Sequence, residues 1–199
     1  MSEPPSMLGP AHLAVVRQRL AGRRRRALEL AGAQRAAVLV PLVVAGGAWS
    51  LLFVRRADTV TTHQGQVAFP GGHAEPADAD IVATALREAA EEIALPRDRV
   101  EVVGLLDDVV AITGVLVTPV LGQIREAFEP VPDPAEIALV FEVALATLAD
   151  PANRSAGYRR PTPAGEIEIP VYGGGPEPIW GLTAWIVSEL LPLLALADQ

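Results

Sequence analysis

The sequence predicts an α/β fold, an α/β/α sandwich in which helices cover both faces of a mixed β-sheet. Two observations support this class. Apolar, β-branched segments of strand length recur along the chain, and segments with helical periodicity stand near both ends and in the middle. The chain has 199 residues, half of them hydrophobic, which is enough for one domain with a sizeable core, with or without an extension.

The first predicted element is a helix over residues 11–31, within an N-terminal helical extension of residues 1–35. Leu13, Val16 and Leu20 repeat at helical spacing, although Gly22 is a position where the helix can break. Residues 23–26 are four consecutive arginines. We interpret this run either as a solvated face or interface of the helix, or as a contact for substrate phosphates or an acidic partner.

The next segment, residues 36–54, contains nineteen uncharged positions and must be weighed as a membrane span. Pro41 and the Gly46-Gly47 pair interrupt it, and the pieces on either side are rich in Val and Leu and have the length of strands. The sequence therefore favours two buried strands, at 37–44 and 49–55, joined by a turn.

The remaining elements follow the same patterns. Strands are predicted at 67–69, 99–106, 115–121, 137–143 and 167–171, and helices at 80–94, 145–148 and 179–194. The polar segments 57–64 and 151–165 are predicted to be loops.

Three carboxylates on the helix at 80–94 are the strongest chemical signal. Glu88, Glu91 and Glu92 have i, i+3 and i+4 spacing, so they share one face of the helix and repel one another. A bound divalent cation would offset this repulsion, and oxygen-only ligands favour Mg²⁺ or Mn²⁺. The Gly71-Gly72 pair before the helix permits close backbone approach to a ligand, with a carbonyl free to join the metal. The pattern predicts metal-assisted attack on a diphosphate.

This stretch resembles the Nudix box, usually written G-x5-E-x7-R-E-U-x-E-E-x-G-U with U an aliphatic residue. Residues 87–92 (REAAEE) and Leu95 fall in place, while Ala94 stands where the last glycine is usual. The early glutamate, usually a structural partner, falls at Ala79, between Asp78 and Asp80. Nudix membership also implies the α/β/α sandwich, here as a Nudix domain over residues 36–199.

Upstream residues resemble the coenzyme A diphosphatase branch of that family, with the signature L-L-T-x-R-S-x3-R-x3-G-x3-F-P-G-G. Residues 51–56 (LLFVRR) and 63–72 (HQGQVAFPGG) carry the likeness, and the branch has an extra residue between the glycines and the helix. Phe53 replaces its threonine and Arg56 its serine, and Val60 or Thr61 stands where its second arginine is expected.

The resemblance implies Mg²⁺- or Mn²⁺-dependent hydrolysis of coenzyme A or its thioesters to 4′-phosphopantetheine and adenosine 3′,5′-bisphosphate. The implied site consists of metal ligands, catalytic residues and substrate-binding residues. The metal ligands are Glu88, Glu91, Glu92, the carbonyl of Gly72 (or Gly71) and Glu136; the catalytic residues are Glu91, Glu88 and Arg87; the substrate-binding residues are Arg55, Arg56 and His63. Either Glu91 or Glu88 could orient the attacking water, and Asp107 and Asp108 are weaker metal candidates.

Two other functions stay open at this point. One is a Nudix hydrolase of ADP-ribose, NADH or nucleoside triphosphates, which the missing arginine of the signature favours. The other is a non-catalytic Nudix-like binding module, although such modules commonly lose a glutamate of the box and all three stand here.

The amino-acid composition limits which binding partners and which cellular compartment are expected. A net charge of −8 argues against a general nucleic-acid binder, so a small nucleotide is the expected partner. The sequence has no cysteine, which fits a reducing cytoplasm and excludes disulfides and thiolate sites. No membrane partner is expected, and a homodimer is compatible with the sequence.

Overall fold

The structure is a computed structural model that describes residues 6–59, 64–162 and 165–196. Its helices are α1 (Leu13–Gly22), α2 (Ile81–Ile93), α3 (Leu145–Ala149) and α4 (Gly181–Leu194). Its strands are β1 (Arg35–Ala45), β2 (Ala48–Arg56), β3 (Val67–Ala68), β4 (Gly71–His73), β5 (Val100–Leu105), β6 (Val109–Val110), β7 (Leu116–Ile124), β8 (Ile137–Ala144), β9 (Arg154–Thr162) and β10 (Gly165–Tyr172).

Strands β1 to β8 form one mixed sheet. Its main path runs β3-β2-β1-β7-β5, with β4 paired to β1, β6 to β7 and β8 to β2. Strands β1 and β7 are parallel, whereas the other neighbours in this sheet are antiparallel. The mixed sheet predicted from the sequence is therefore confirmed.

Both faces of the sheet carry a hydrophobic core under helices, because successive strand residues point to opposite faces. On β1, Val40 belongs to the cluster that includes Val16 of α1 and Leu190 of α4. Its neighbour Leu39 belongs to the cluster that includes Ala89 of α2. Helices α1 and α4 thus cover one face and α2 covers the other, which confirms the α/β/α sandwich.

The uncharged segment between Arg35 and Arg55 forms the predicted antiparallel hairpin of β1 and β2, in which Leu42 pairs with Leu51. Gly46 and Gly47 form the turn with φ of 59° and 82°, backbone angles that glycine adopts without strain. Within the described ranges, no helix is long and apolar enough to cross a membrane.

The N-terminal helix is shorter than predicted, so the expectation of a helix over residues 11–31 is wrong beyond Gly22. Arg23 already has extended backbone angles. The segment after it lies beside the chain that follows β5, where the amide of Asp108 donates to the carbonyl of Arg26 at 3.0 Å. The glycine ends the helix, and charges on neighbouring aspartates favour an extended path for the arginines.

Those aspartates are the partners of the arginine run. Arg23 pairs with Asp107 and Arg25 with Asp108, whose side chain is 1% exposed. Asp108 also accepts from the hydroxyl of Thr118 at 2.7 Å. Two arginines of the run thus pair with acids of the same chain, and Asp107 and Asp108 serve as their ion-pair partners.

The segment 151–165 was predicted to be a loop, and this prediction is wrong over much of its length. Strand β9 pairs with β10 in a separate two-stranded antiparallel sheet. Gly157 and Pro161 weaken any strand signal in β9, so its conformation depends on pairing with the more apolar β10. Ile169 and Tyr172 of β10 join the core beneath α4.

Candidate active site

Helix α2 places the three glutamates beside the sheet. The carboxylate of Asp80 accepts from the amide of Ala83 at 2.8 Å and caps the first turn. Ala85, Ala89 and Ile93 repeat at i, i+4 spacing and are fully buried against the sheet. At the other end Ala94, at the usual position of the box glycine, has a left-handed φ of 56°. The helix thus has the predicted position and orientation.

Arg87 is the centre of a dense set of hydrogen bonds on this helix. Its guanidinium donates to Glu88 and to Glu91, which is four residues further along the helix, both at 2.9 Å. The same group donates a hydrogen bond to the carbonyl of His73 at 2.9 Å. It also donates two hydrogen bonds, of 3.0 and 3.1 Å, to the carboxylate of Asp78. Arg87 therefore fixes the loop before the helix as well as two of the glutamates.

Asp78 holds the candidate site together, although in the sequence it stands out only as a neighbour of the usual glutamate position of the box. Hydrogen bonds from Arg87 hold the pKa of Asp78 well below its usual value. The amide of Glu75 and the hydroxyl of Thr84 also donate to it, each at 2.9 Å. Asp78 thus takes the structural place of the early box glutamate; an acidic residue two positions before the helix cap was the available signal.

Glu92 is almost completely buried, with 3% of its surface exposed. One oxygen accepts from the amide of Gly71 at 3.1 Å, and the other accepts from Arg56 at 3.3 Å. Burial is the main reason why the pKa of Glu92 is raised to about 7; the charges of Glu88 and Glu136 act in the same direction, whereas the Gly71 amide and Arg56 oppose the shift. A buried carboxylate with so few partners is well suited to a cation.

Glu88 lies directly against the glycine pair. A Cβ on Gly72 would stand 2.5 Å from the carboxyl group of Glu88, and one on Gly71 would stand 2.3 Å from the carbonyl oxygen of Ala37 on β1. Burial raises the pKa of Glu88 as well, although Arg87 opposes this. The glycines therefore allow the backbone, the helix carboxylate and the sheet to approach closely.

Glu136 is brought to the same place by the loop before β8. The amide of Ala57 donates to the carbonyl of Glu136 at 2.7 Å, and the amide of Asp133 donates to the carbonyl of Glu92 at 2.9 Å. The carboxylate of Glu136 lies 3.8 Å from the guanidinium of Arg56. The loop is therefore tied to both β2 and α2, which brings a fourth glutamate to the group on α2.

The two arginines at the end of β2 point in different directions, as strand alternation predicts. Arg56 reaches Glu92 and Glu136, whereas Arg55 pairs with Asp58 at 3.1 Å and lies 3.6 Å from Glu177. Among the predicted substrate-binding residues, Arg56 thus lies in the carboxylate group and Arg55 does not. His63 lies outside the described residues.

The carboxylates are held by arginines in this arrangement. Among the residues described, no three Asp, Glu, His or Cys side chains are already grouped to hold a metal ion. Nevertheless the donor set fits a hard divalent cation, because it offers four carboxylates, and the backbone of Gly72 lies directly against the carboxyl group of Glu88. The oxygens of these glutamates are at present paired with Arg56 and Arg87.

Comparison with known proteins gives consistent results. A family model described as the NUDIX domain matches residues 33–163. NudL of Photorhabdus laumondii, an uncharacterized Nudix hydrolase, is 40% identical over 165 residues, which cover 79% of this chain and 83% of that protein. The uncharacterized NudL of Cronobacter sakazakii is 48% identical over 166 residues, covering 79% and 81%.

The fold has counterparts among solved structures. The crystal structure of a MutT/nudix family protein from Enterococcus faecalis is similar with a TM-score of 0.56 at 14% identity. The match covers 85% of this chain and 65% of the other. At this identity the likeness supports the fold and nothing finer.

Proposed function

This chain belongs to the Nudix hydrolase family, whose members act on pyrophosphate bonds, and we propose that its substrate is coenzyme A or a coenzyme A thioester. Water would add across the diphosphate to give 4′-phosphopantetheine and adenosine 3′,5′-bisphosphate. The convergence of four glutamates and the Gly72 backbone around Arg56 and Arg87 carries the proposal of a hydrolytic centre. The resemblance of residues 51–56 and 63–72 to the coenzyme A branch supports the substrate.

Nudix hydrolases generally use divalent metal ions, and we propose Mg²⁺ or Mn²⁺ here. The ligands would be Glu88, Glu91, Glu92, Glu136 and the carbonyl of Gly72. When bound, the cation would neutralise the diphosphate and lower the pKa of an attacking water. The all-oxygen donor set agrees with these two ions rather than with softer metals.

The protein residues would divide the remaining work. Glu91, whose side chain is 58% exposed, would accept the proton of the attacking water; Glu88, which is 16% exposed, has less access to solvent. Arg87 is a positioning residue, because it contacts both glutamates and is itself fixed by Asp78. Arg56 would bind a phosphate of the substrate through its guanidinium.

A second candidate is hydrolysis of another nucleoside diphosphate derivative, such as ADP-ribose, NADH or a nucleoside triphosphate. The absence of the second signature arginine favours it, because Val60 or Thr61 stands at that position. The same metal centre would serve either substrate, so the two proposals differ only in the recognition of the groups attached to the diphosphate.

We also propose that the protein acts in a reducing cytoplasm, in agreement with a sequence that has no cysteine. A homodimer stays a prediction. Both proposals concern the setting of the reaction and leave its chemistry unchanged.

A substrate panel tests the proposed function. Product release is measured from coenzyme A, acetyl-coenzyme A, ADP-ribose, NADH and nucleoside triphosphates, with Mg²⁺ or Mn²⁺. We expect cleavage of the coenzyme A compounds, with kcat lowered about 10²- to 10⁴-fold in Glu91→Gln. Glu166→Gln is the control, since Glu166 is an exposed residue of β10 paired with Arg159. Cleavage of another compound alone would assign a different substrate. Wild-type activity in Glu91→Gln would contradict the assignment of Glu91 as the base.

A further inference from the structure

Arg56 bridges the two carboxylates that come from different parts of the chain. One terminal nitrogen lies 3.3 Å from Glu92 on α2, and the other lies 3.8 Å from Glu136 on the loop before β8. The arginine is 20% exposed and Glu92 only 4%. A single positive side chain therefore stands between a buried carboxylate, Glu92, and a half-exposed one, Glu136.

The two arginines of the site are held very differently. Every nitrogen of the Arg87 guanidinium donates a hydrogen bond, at 2.9 to 3.1 Å. Within the part of the chain that the structure describes, Arg56 donates one side-chain hydrogen bond, of 3.3 Å to Glu92, and its Nε is buried without a partner. Arg87 is thus fixed as part of the scaffold, whereas the contacts of Arg56 are long and its donors are not fully used.

A buried glutamate needs a positive partner, and Arg56 is the side chain that supplies it to Glu92. The same carboxylate would be a ligand of a divalent cation, so the guanidinium and that cation compete for the same oxygens. Two cations at this short distance would repel each other in a poorly solvated site. Arg56 must therefore leave Glu92 and Glu136 when the site binds a metal.

We propose that Arg56 is a resident counter-cation, which occupies Glu92 and Glu136 in the metal-free protein and is released from them when a divalent cation binds. Its freed donors then become available to a substrate phosphate, so that metal binding prepares the phosphate-binding residue. This inference rests on the proposed function, since it requires that the carboxylates bind a metal. Arg56 acts here as a positioning residue that sets the affinity of the site for metal.

Calorimetric titration with Mn²⁺ alone tests the inference on the full chain, without substrate. Arg56→Ser removes the competitor, so we expect it to bind Mn²⁺ about tenfold more tightly than wild type. The metal-free variant should melt at a lower temperature and gain more from Mn²⁺. Arg125→Ser is the control, because Arg125 pairs with Glu101 away from the site, and it should titrate like wild type. A purely structural role for Arg56 predicts the opposite change, a weaker site.

Unchanged or weaker Mn²⁺ binding by Arg56→Ser, with tight binding by wild type, overturns the inference and leaves the proposed function standing. Failure of wild type and variant alike to bind Mn²⁺ overturns both. If Arg56→Ser does not fold, NMR spectroscopy of the wild-type protein tests the inference instead. The side-chain nitrogen resonances of Arg56 are assigned by their disappearance in Arg56→Lys. They should shift during a Mg²⁺ titration; resonances that do not move overturn the inference.

Discussion

Two of the regions with arginine–carboxylate pairs differ in the number of carboxylates that each arginine contacts. Beside the end of β5, each arginine has its own acid: Arg23 has Asp107 and Arg25 has Asp108. Around α2 each arginine is shared, because Arg87 contacts Asp78, Glu88 and Glu91, and Arg56 contacts Glu92 and Glu136.

On the proposed function, this difference separates structural pairs from the candidate site. Balanced pairs satisfy one another and hold segments of chain together. An excess of buried carboxylates costs stability by repulsion and desolvation, and it is reduced when a cation binds. We therefore expect mutations in the balanced region to affect folding and mutations in the unbalanced region to affect metal binding and activity.

The largest effect on stability is expected at the balanced pair. Asp108→Ala leaves Arg25 and Thr118 without their buried acceptor, so the free energy of unfolding should fall by about 3 kcal/mol in urea denaturation. Mn²⁺ affinity should not change. Asp58→Ala, in an exposed pair with Arg55, should cost less than about 1 kcal/mol. A loss of Mn²⁺ affinity in Asp108→Ala would show that the two regions are not separate.

The glycine pair sharpens the comparison within the site. Alanine at Gly71 would collide with the backbone of β1, so the free energy of unfolding should fall by about 1–3 kcal/mol. The atoms nearest to an alanine Cβ at Gly72 belong to the movable carboxylate of Glu88, so this substitution should leave stability nearly unchanged while it lowers kcat by roughly tenfold. Denaturation and initial rates of both variants check this, and equal losses of stability would refute the distinction.

Asp78 should make part of the free energy of unfolding depend on pH in the acidic range. Because Arg87 lowers the pKa of Asp78 in the folded protein, its contribution is present above the ordinary value of 3.8 and is lost as the pH falls below it. Asp78→Asn should be less stable than wild type at neutral pH, and this difference should shrink in acid. Thr84→Val retains the carboxylate and should keep the acid dependence of wild type. A difference independent of pH would contradict the role of the Asp78 charge.

The smallest expected effect concerns the end of α2. Ala94 has a left-handed backbone that disfavours a side chain, so Ala94→Gly should raise the free energy of unfolding by about 0.5–1 kcal/mol. Ala90→Gly, inside the same helix, should lower it by about 1 kcal/mol. Thermal unfolding of the two variants measures the contrast. Destabilisation by both substitutions would contradict the strain assigned to Ala94.

The elements that were predicted correctly are those whose conformation is determined by residues close together in the sequence. The β1–β2 hairpin follows from two apolar runs around Gly46-Gly47, and α2 follows from its apolar stripe and carboxylate spacing. Strand β9 was missed because its pairing with β10, and not its own composition, makes it extended. The predicted N-terminal helix is too long because Arg23 and Arg25 pair with aspartates that lie about eighty residues away in the sequence. Such distant contacts leave no sign in the local pattern.

The candidate site shows the same limit. Spacing predicted that Glu88, Glu91 and Glu92 lie together and that Arg87 reaches Glu91. Strand alternation predicted that Arg55 and Arg56 diverge, but not that Arg56 is the one that enters the site. The role of Asp78 depends on how the loop before α2 turns back toward Arg87, which no periodicity in the sequence encodes.

The most direct test of the central claim, that the unbalanced carboxylates form a metal-dependent diphosphatase centre, is the rate of coenzyme A hydrolysis after treatment with a chelator. We predict no turnover without metal, recovery when Mg²⁺ is restored, and at least about 10²-fold less recovery in Glu88→Gln. A rate that is insensitive to the chelator, or full recovery in Glu88→Gln, would contradict the account.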